Sequence, residues 1–131
     1  MIEESSACRE AALNGRLTFL NDGTAGPAEV RIYGGTRRAS VNDAPGSPQL
    51  VSVTLQNPCG SVTAGVLLLL PSEPGLIAGS GVATWASVVN GDGVAAFDMD
   101  VGAIGSGAEC IVTALDLYAG GLMSLVSAAL S

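Results

Sequence analysis

Apolar and polar residues alternate with a period of two along much of the chain, most clearly from Gly81 to Val101 (GVATWASVVNGDGVAAFDMDV). Two runs rich in Val, Ala, Trp and Phe flank Asn90-Gly91-Asp92-Gly93. Asn-Gly and Asp-Gly tolerate the positive φ angles of tight turns, so the runs are expected to fold back as an antiparallel hairpin. On the second arm Phe97, Met99 and Val101 share one face, and Asp98 and Asp100 share the other. That is the pattern of a strand with one side on a core and one in water. Trp85, from the first arm, is assigned to the core.

The same period marks further strands. Ala28 to Tyr33 places Val30 and Ile32 inward and Glu29, Arg31 and Tyr33 outward. Leu50 to Leu55 sets Val51, Val53 and Leu55 opposite Ser52 and Thr54, and Asn57-Pro58-Cys59-Gly60 is expected to turn the chain. Val62 to Leu70 ends in Val66-Leu67-Leu68-Leu69-Leu70, apolar on both faces. Such a run suits a strand covered on one side by the core and on the other by a helix or another subunit. Pro71 and Pro74 stop it. Gly102 to Gly107 reads as a flexible connection and Cys110 to Tyr118 as a further strand. Leu122, Leu125, Val126, Ala129 and Leu130 fit helical spacing. Their position after Gly120-Gly121 equally suits the second arm of a hairpin, and a strand is preferred for consistency with the rest.

Residues 5 to 20 break this rhythm. Cys8, Ala12, Leu13, Leu17 and Leu20 recur at three-to-five-residue spacing, an apolar helical stripe. Ser5 or Ser6 can cap the start, with Glu3 and Glu4 near the positive end of the helix dipole. Asn14-Gly15 is the weak point, since a mid-helix Gly costs about 1 kcal/mol against Ala. Asn21-Asp22-Gly23 ends the helix, and Pro27 follows. The expected fold is all-β, an antiparallel β-sandwich or jelly roll of about seven or eight strands. Residues 1–22 form the N-terminal helical segment and residues 23–131 the β-sandwich domain.

Composition narrows the function. At 131 residues the chain builds one core. Charged residues are 13%, about half the usual ~25%, so Gly, Ala, Ser and Thr must cover much of the surface. Extensive contact with other subunits is therefore expected. The five basic residues are all Arg (Arg9, Arg16, Arg31, Arg37 and Arg38), and the net charge of -7 opposes general binding to nucleic acid. The absence of His removes the commonest general base and the commonest metal ligand. The acidic start Met1-Ile2-Glu3-Glu4 is unlike a secretory signal peptide. No apolar run approaches the ~20 residues of a membrane span. Cys8, Cys59 and Cys110 are an odd count, read as free structural thiols made in a reducing cytoplasm.

No motif encodes a reaction. Asp92, Asp98 and Asp100 match no calcium loop, and alternating acids on a solvated strand face are the preferred reading. Gly102-Ala103-Ile104-Gly105-Ser106-Gly107 has the wrong order for a dinucleotide loop and no Lys for a P-loop. Without His a conventional Ser triad is impossible, and five aromatic residues leave little for a sugar groove. Neither a cofactor nor a metal is expected. The stretch from Gly34 to Gln49, GGTRRASVNDAPGSPQ, is a long loop of the kind that is usually functional or disordered. It is read as either solvated or docked on a neighbouring subunit.

The order of CREAALNGRLTFLNDG, AEVRIYGGTRRA, SGVATWASVVNGDGVAAFDMDVG and ECIVTALDLYAGGLMSLVSAALS resembles that of a group of small tailed-bacteriophage virion proteins. Ile32-Tyr33-Gly34-Gly35-Thr36 carries one glycine more than that group's simpler pattern, and Leu67 to Leu70 is more apolar. The resemblance implies a β-rich head or tail component, above all a capsid decoration (cement) protein on the virion surface. Its partners would then be the major capsid protein and further copies of itself, trimers foremost. Under it, the helix and the 34–49 loop would carry contacts, with Arg9, Arg16, Arg37 and Arg38 facing the partner and Arg37 and Arg38 pairing with capsid acids. A tail or baseplate component and a carbohydrate-binding or adhesive β-sandwich are the alternatives. The last of these requires Trp85 and Tyr33 to form an exposed platform.

Overall fold

A computed structural model describes residues 5–22, 26–46 and 48–130. Helix α1 (Ser6–Asn21) precedes the strands β1 (Glu29–Gly34), β2 (Gln49–Thr63), β3 (Val66–Pro71), β4 (Gly75–Leu76) and β5 (Gly81–Val89). Then follow β6 (Ala95–Gly102), β7 (Cys110–Val112), β8 (Asp116–Leu117), β9 (Leu122–Met123) and β10 (Leu125–Leu130). The chain is mostly β with one short N-terminal helix, as its alternation implies.

The strands close into a barrel where the alternation suggested a sandwich or jelly roll. β1 pairs antiparallel with β2 on one edge and β5 on the other. The ring therefore runs β1-β2-β3-β10-β7-β6-β5 and returns to β1. Period two assigns inner and outer faces but not which strands meet, so it fits a sandwich and a barrel equally. Closure leaves the ring with no free edge. One ring contact is parallel, β6 with β7, pairing Val101 with Cys110 and Gly102 with Ile111. The glycine-rich run between them makes that return compact. Gly105 and Gly107 have φ of +88° and +82°, and a Cβ on Gly102 would stand 2.1 Å from Ser106 Oγ.

The hairpin at residues 81–101 forms as expected, with Ala86 opposite Met99 and Ser87 opposite Asp98. Asn90 Oδ1 accepts from the N–H groups of Asp92 and Val94, and Gly93 takes φ +83°. The turn expected at residues 57–60 is instead a wide bulge inside β2, where the pairing steps from Leu55↔Pro71 to Gly60↔Leu69. The chain reverses later, at Ala64 (φ +52°) and Gly65 (φ +78°). Asn-Pro is a strong turn signal and Ala a poor one, so tertiary pairing overrides local preference here. Cys110 to Tyr118 resolves into the short β7 and β8, and residues 122–130 form strands rather than a helix.

Ser5 caps α1, its Oγ accepting from the Cys8 N–H at 3.2 Å. Glu3, Glu4 and Gly23 lie outside the described residues. The helix runs unbroken through Gly15. Only Leu13 and Leu20 of its expected stripe are buried, with Leu17 partly so, while Cys8 and Ala12 are exposed. α1 touches β2, β3 and β6. Since β6 is not a neighbour of the other two in the ring, a helix about 24 Å long must bridge one mouth of the barrel. Asn21 Oδ1 pins its end by accepting from the Cys59 N–H in the β2 bulge, at 3.0 Å. Leu13 and Leu20 join the same core as the barrel's inward residues, so the helical segment shares the core of residues 23–131.

Two glycines test this account in opposite directions. A Cβ at residue 60 would lie 2.4 Å from the Leu68 carbonyl oxygen, so Gly60→Ala is expected to destabilise the fold by about 1–3 kcal/mol. Gly15 has open space around it, so Gly15→Ala is expected to stabilise by about 0.5–1 kcal/mol. Urea unfolding of both variants reads these shifts.

Candidate functional site

The outward side chains of β1, β5 and β6 form one patch. Register sets Tyr33 beside Trp85, Arg31 beside Ser87, and Asp98 and Asp100 on the far side of Ser87 and Trp85. Tyr33 and Trp85 stack with ring centroids 4.4 Å apart and planes 15° apart. Both point away from the barrel interior, yet Trp85 is 0% and Tyr33 only 6% exposed. The segment that follows β1 covers them. Gly35 takes φ +75°, and its carbonyl accepts from Thr84 Oγ1 at 2.6 Å, which starts the return over the sheet.

Arg38 is the centre of this strap. Its guanidinium carbon lies 5.4 Å from the Trp85 ring centroid, within cation–π range. Nε donates to Asp98 Oδ2 at 2.8 Å and Nη2 to Asp98 Oδ1 at 2.7 Å, a bidentate fork. Nη2 also donates to Ser87 Oγ at 3.0 Å, and Nη1 to the Asp43 carbonyl at 2.7 Å. Arg37 reaches Asp100 Oδ1 at 2.9 Å and the Asp98 carbonyl at 3.2 Å. The expected pairing of both arginines with acids of a partner is thus met inside the chain. The cause is the strand period, which turns Asp98 and Asp100 outward within reach of the returning loop. The Arg38 and Asp98 side chains are 8% and 5% exposed, so Arg38 is not a surface contact. Arg37 and Asp100 remain at 41% and 63%. Both Asp98 carboxylate oxygens are taken by the guanidinium, which corrects the reading of a solvated acidic face at Asp98, whereas Asp92 and Asp100 are exposed as that reading has them.

Hydrogen bonding to Asp98 raises the Arg38 pKa, against the opposing effect of burial. For Asp98, burial alone would raise the pKa, but hydrogen bonds from Arg38 and Ser87 and the charges of Arg38 and Arg37 outweigh it. The carboxylate therefore titrates below its ordinary value. Such a group stabilises the fold fully above its unfolded pKa of ~3.9 and ceases to do so as pH falls through the lower folded value.

Arg9 and Arg16 stand exposed on α1. Arg9 packs its aliphatic stem toward Gly65. Arg16 lines a groove of about 420 Å³ with Phe19, Ala95 and Ala96. The four arginines thus divide between the strap and the helix.

At the opposite mouth lies a cluster that sequence reading missed. β4 and β9 pair Leu76 with Leu122, which places the two side chains together, 64% and 70% exposed. Tyr118 is 72% and Val82 53% exposed, and both line a hollow of about 200 Å³. The register puts this end away from α1, because β5 begins here and its far end, Val89, meets Ala95 beside the helix. The available signal is that Leu76 follows Pro74-Gly75 and Leu122 follows Gly120-Gly121. Apolar residues set directly after turns lack the strand length that would bury them.

Arg38→Met strands the buried Asp98 carboxylate and is expected to cost about 3–5 kcal/mol, against about 0–1 kcal/mol for Arg37→Met. Urea titration followed by emission of Trp85, the single tryptophan, separates the two. Wild-type stability should fall as pH drops below about 4, and Asp98→Asn should flatten that fall while lowering stability at neutral pH. Thermal melts across that range check the sign. Burial pushes up the pKa of the Cys59 thiol and takes that of Cys110 to about 12, whereas Cys8 is exposed. A thiol reagent near neutral pH should modify Cys8 alone in the native protein and all three cysteines in urea.

Compared with protein-family models, curated proteins and solved structures, the chain matches none.

Proposed function

We propose that this protein is a structural virion component of a tailed bacteriophage, a capsid decoration protein that acts by association rather than catalysis. The observation that supports the reading best is the apolar end. Leu76, Leu122, Tyr118 and Val82 all stand more than half exposed on one mouth of the barrel, in a chain with few charges to solubilise it. Apolar side chains grouped this way on a soluble fold mark an interaction surface. In this reading the end rests on the major capsid protein across subunit boundaries, and the helix at the other mouth, with Arg9 and Arg16 exposed on it, faces neighbouring parts of the shell. Copies of the chain associate with one another, trimers being the arrangement that the family resemblance implies. Affinity comes from repetition of modest contacts over the particle.

A tail or baseplate part shares this chemistry and differs in number, with few copies per particle against the hundreds of a decoration protein. An adhesive or sugar-binding role is less well supported, because the stacked Tyr33 and Trp85 lie beneath the Arg38 strap and offer no open platform.

The test is binding of the purified chain to empty heads assembled from a major capsid protein encoded in the same genome. Saturating binding at capsid-lattice stoichiometry is expected. Leu76→Glu with Leu122→Glu should weaken it at least ~10-fold, since each buries a charge at the contact. Absence of binding by the wild-type chain would refute the assignment, and full binding by the double variant would remove the apolar end from it.

A further inference from the structure

The outer wall of the barrel is divided by charge. On the arc made by β1, β5 and β6 the outward positions include Glu29, Arg31, Asp98 and Asp100, with Arg37 and Arg38 laid over them. On the other arc, made by the end of β2 with β3, β10 and β7, the register turns Ser61, Thr63, Val66, Leu68, Ser127 and Ile111 outward. None is charged. The chain has no charged residue from Pro58 to Ser72, from Cys110 to Leu115, or from Leu117 to Ser131. Val66 and Leu68 are 36% and 39% exposed, and Val126, farther along β10, is 48% exposed. α1 touches β3 but leaves this outer side open.

We infer that the neutral arc is the surface through which copies of this chain bind one another, turned toward the axis of a closed homo-oligomer. The inference rests on the proposal that the protein works by association, and it names where copies meet. Charge selects the occupant. Each copy carries a net -7, so copies repel wherever acidic surfaces approach, and burying those charges carries a desolvation cost of several kcal/mol per ion. A contact between two neutral walls avoids both penalties. A cationic partner would be drawn to the acidic remainder of the surface instead. The apolar end suits a second copy less well, because Asp116 pairs directly with Val82 there and self-contact would bring like charges together. Size is sufficient. A stable interface needs roughly 800 Å² per partner, a small share of the chain's 6835 Å², and the neutral arc spans four of the seven strands of the ring. The neutral arc also accounts for the two-sided apolar run of β3, whose inner residues Leu67 and Leu69 are 0% and 3% exposed and whose outer residues await a cover.

Sedimentation equilibrium of the full chain from about 1 to about 100 µM tests this, together with Leu68→Glu, Ser61→Glu and Leu122→Glu. Wild type should sediment as a discrete oligomer, and Leu68→Glu should dissociate it at least ~100-fold more readily, because it buries an unpaired charge at the contact. Ser61→Glu, at a small exposed position opposite Leu68, should do the same if Leu68→Glu fails to fold by circular dichroism. Leu122→Glu should leave the mass unchanged. A wild-type monomer at every concentration, or oligomers that survive both arc variants, would overturn the inference. Head binding measured on the same samples separates it from the proposed function, since a monomer that still binds heads rejects only the self-interface.

Discussion

Strand β1 is six residues long, yet it holds β2 on one edge and β5 on the other. Without that double pairing the sheet would end in two raw edges, each a row of unpaired N–H and C=O groups. Closure turns the inner face into one core, to which β1 contributes Val30 and Ile32 and α1 contributes Leu13 and Leu20. It also fixes the circumference. Every outward residue then has a defined neighbour around the wall, and the wall can be divided into arcs of different character.

One arc is roofed by the chain itself. Tyr33, Trp85, Ser87 and Asp98 become neighbours only because β1 and β6 flank β5. Arg38 then closes over them, satisfying the carboxylate in a fork and lying across the indole. A buried ion pair contributes modest net stability, since desolvation offsets attraction. Its larger consequence is specificity: the strap has one place to sit, and misplacing it leaves a charge unpaired. Trp85 Nε1 is nevertheless buried without a hydrogen-bond partner. The stacking and cation–π contacts hold the ring where its polar atom is unsatisfied.

The other arc and the helix-distal mouth are left uncovered. A small barrel with little surface charge cannot hide every apolar side chain, and this one groups several of them in two places of different chemistry. The wall of β3 and β10 is neutral and suits like-for-like packing. The mouth carrying Leu76, Leu122 and Tyr118 is apolar with acids nearby. These two surfaces, beside a polar cluster locked internally, are the features on which the proposed role by association rests.

Much of this was written in the sequence. Alternation along Phe97 to Val101 assigned inner and outer faces correctly, because the side-chain period of a strand is a property of the backbone alone. Asn90 to Gly93 specified its turn locally, and Ser5 its helix cap. The two-sided apolarity of Val66 to Leu70 foretold a strand covered on both sides, whereas in the fold its outer residues Val66 and Leu68 stand exposed. What the sequence left undecided depends on contacts between distant residues. Whether the sheet stacks or closes is set by which strands β1 meets, and no local pattern encodes that. The turn moved from Asn57-Pro58 to Ala64-Gly65 because pairing of β2 with β3 outweighs local preference. Arg37 and Arg38 read as partner contacts because their acids lie about sixty residues away. Only the fold brings those charges together, and a linear sequence shows charges without their distances.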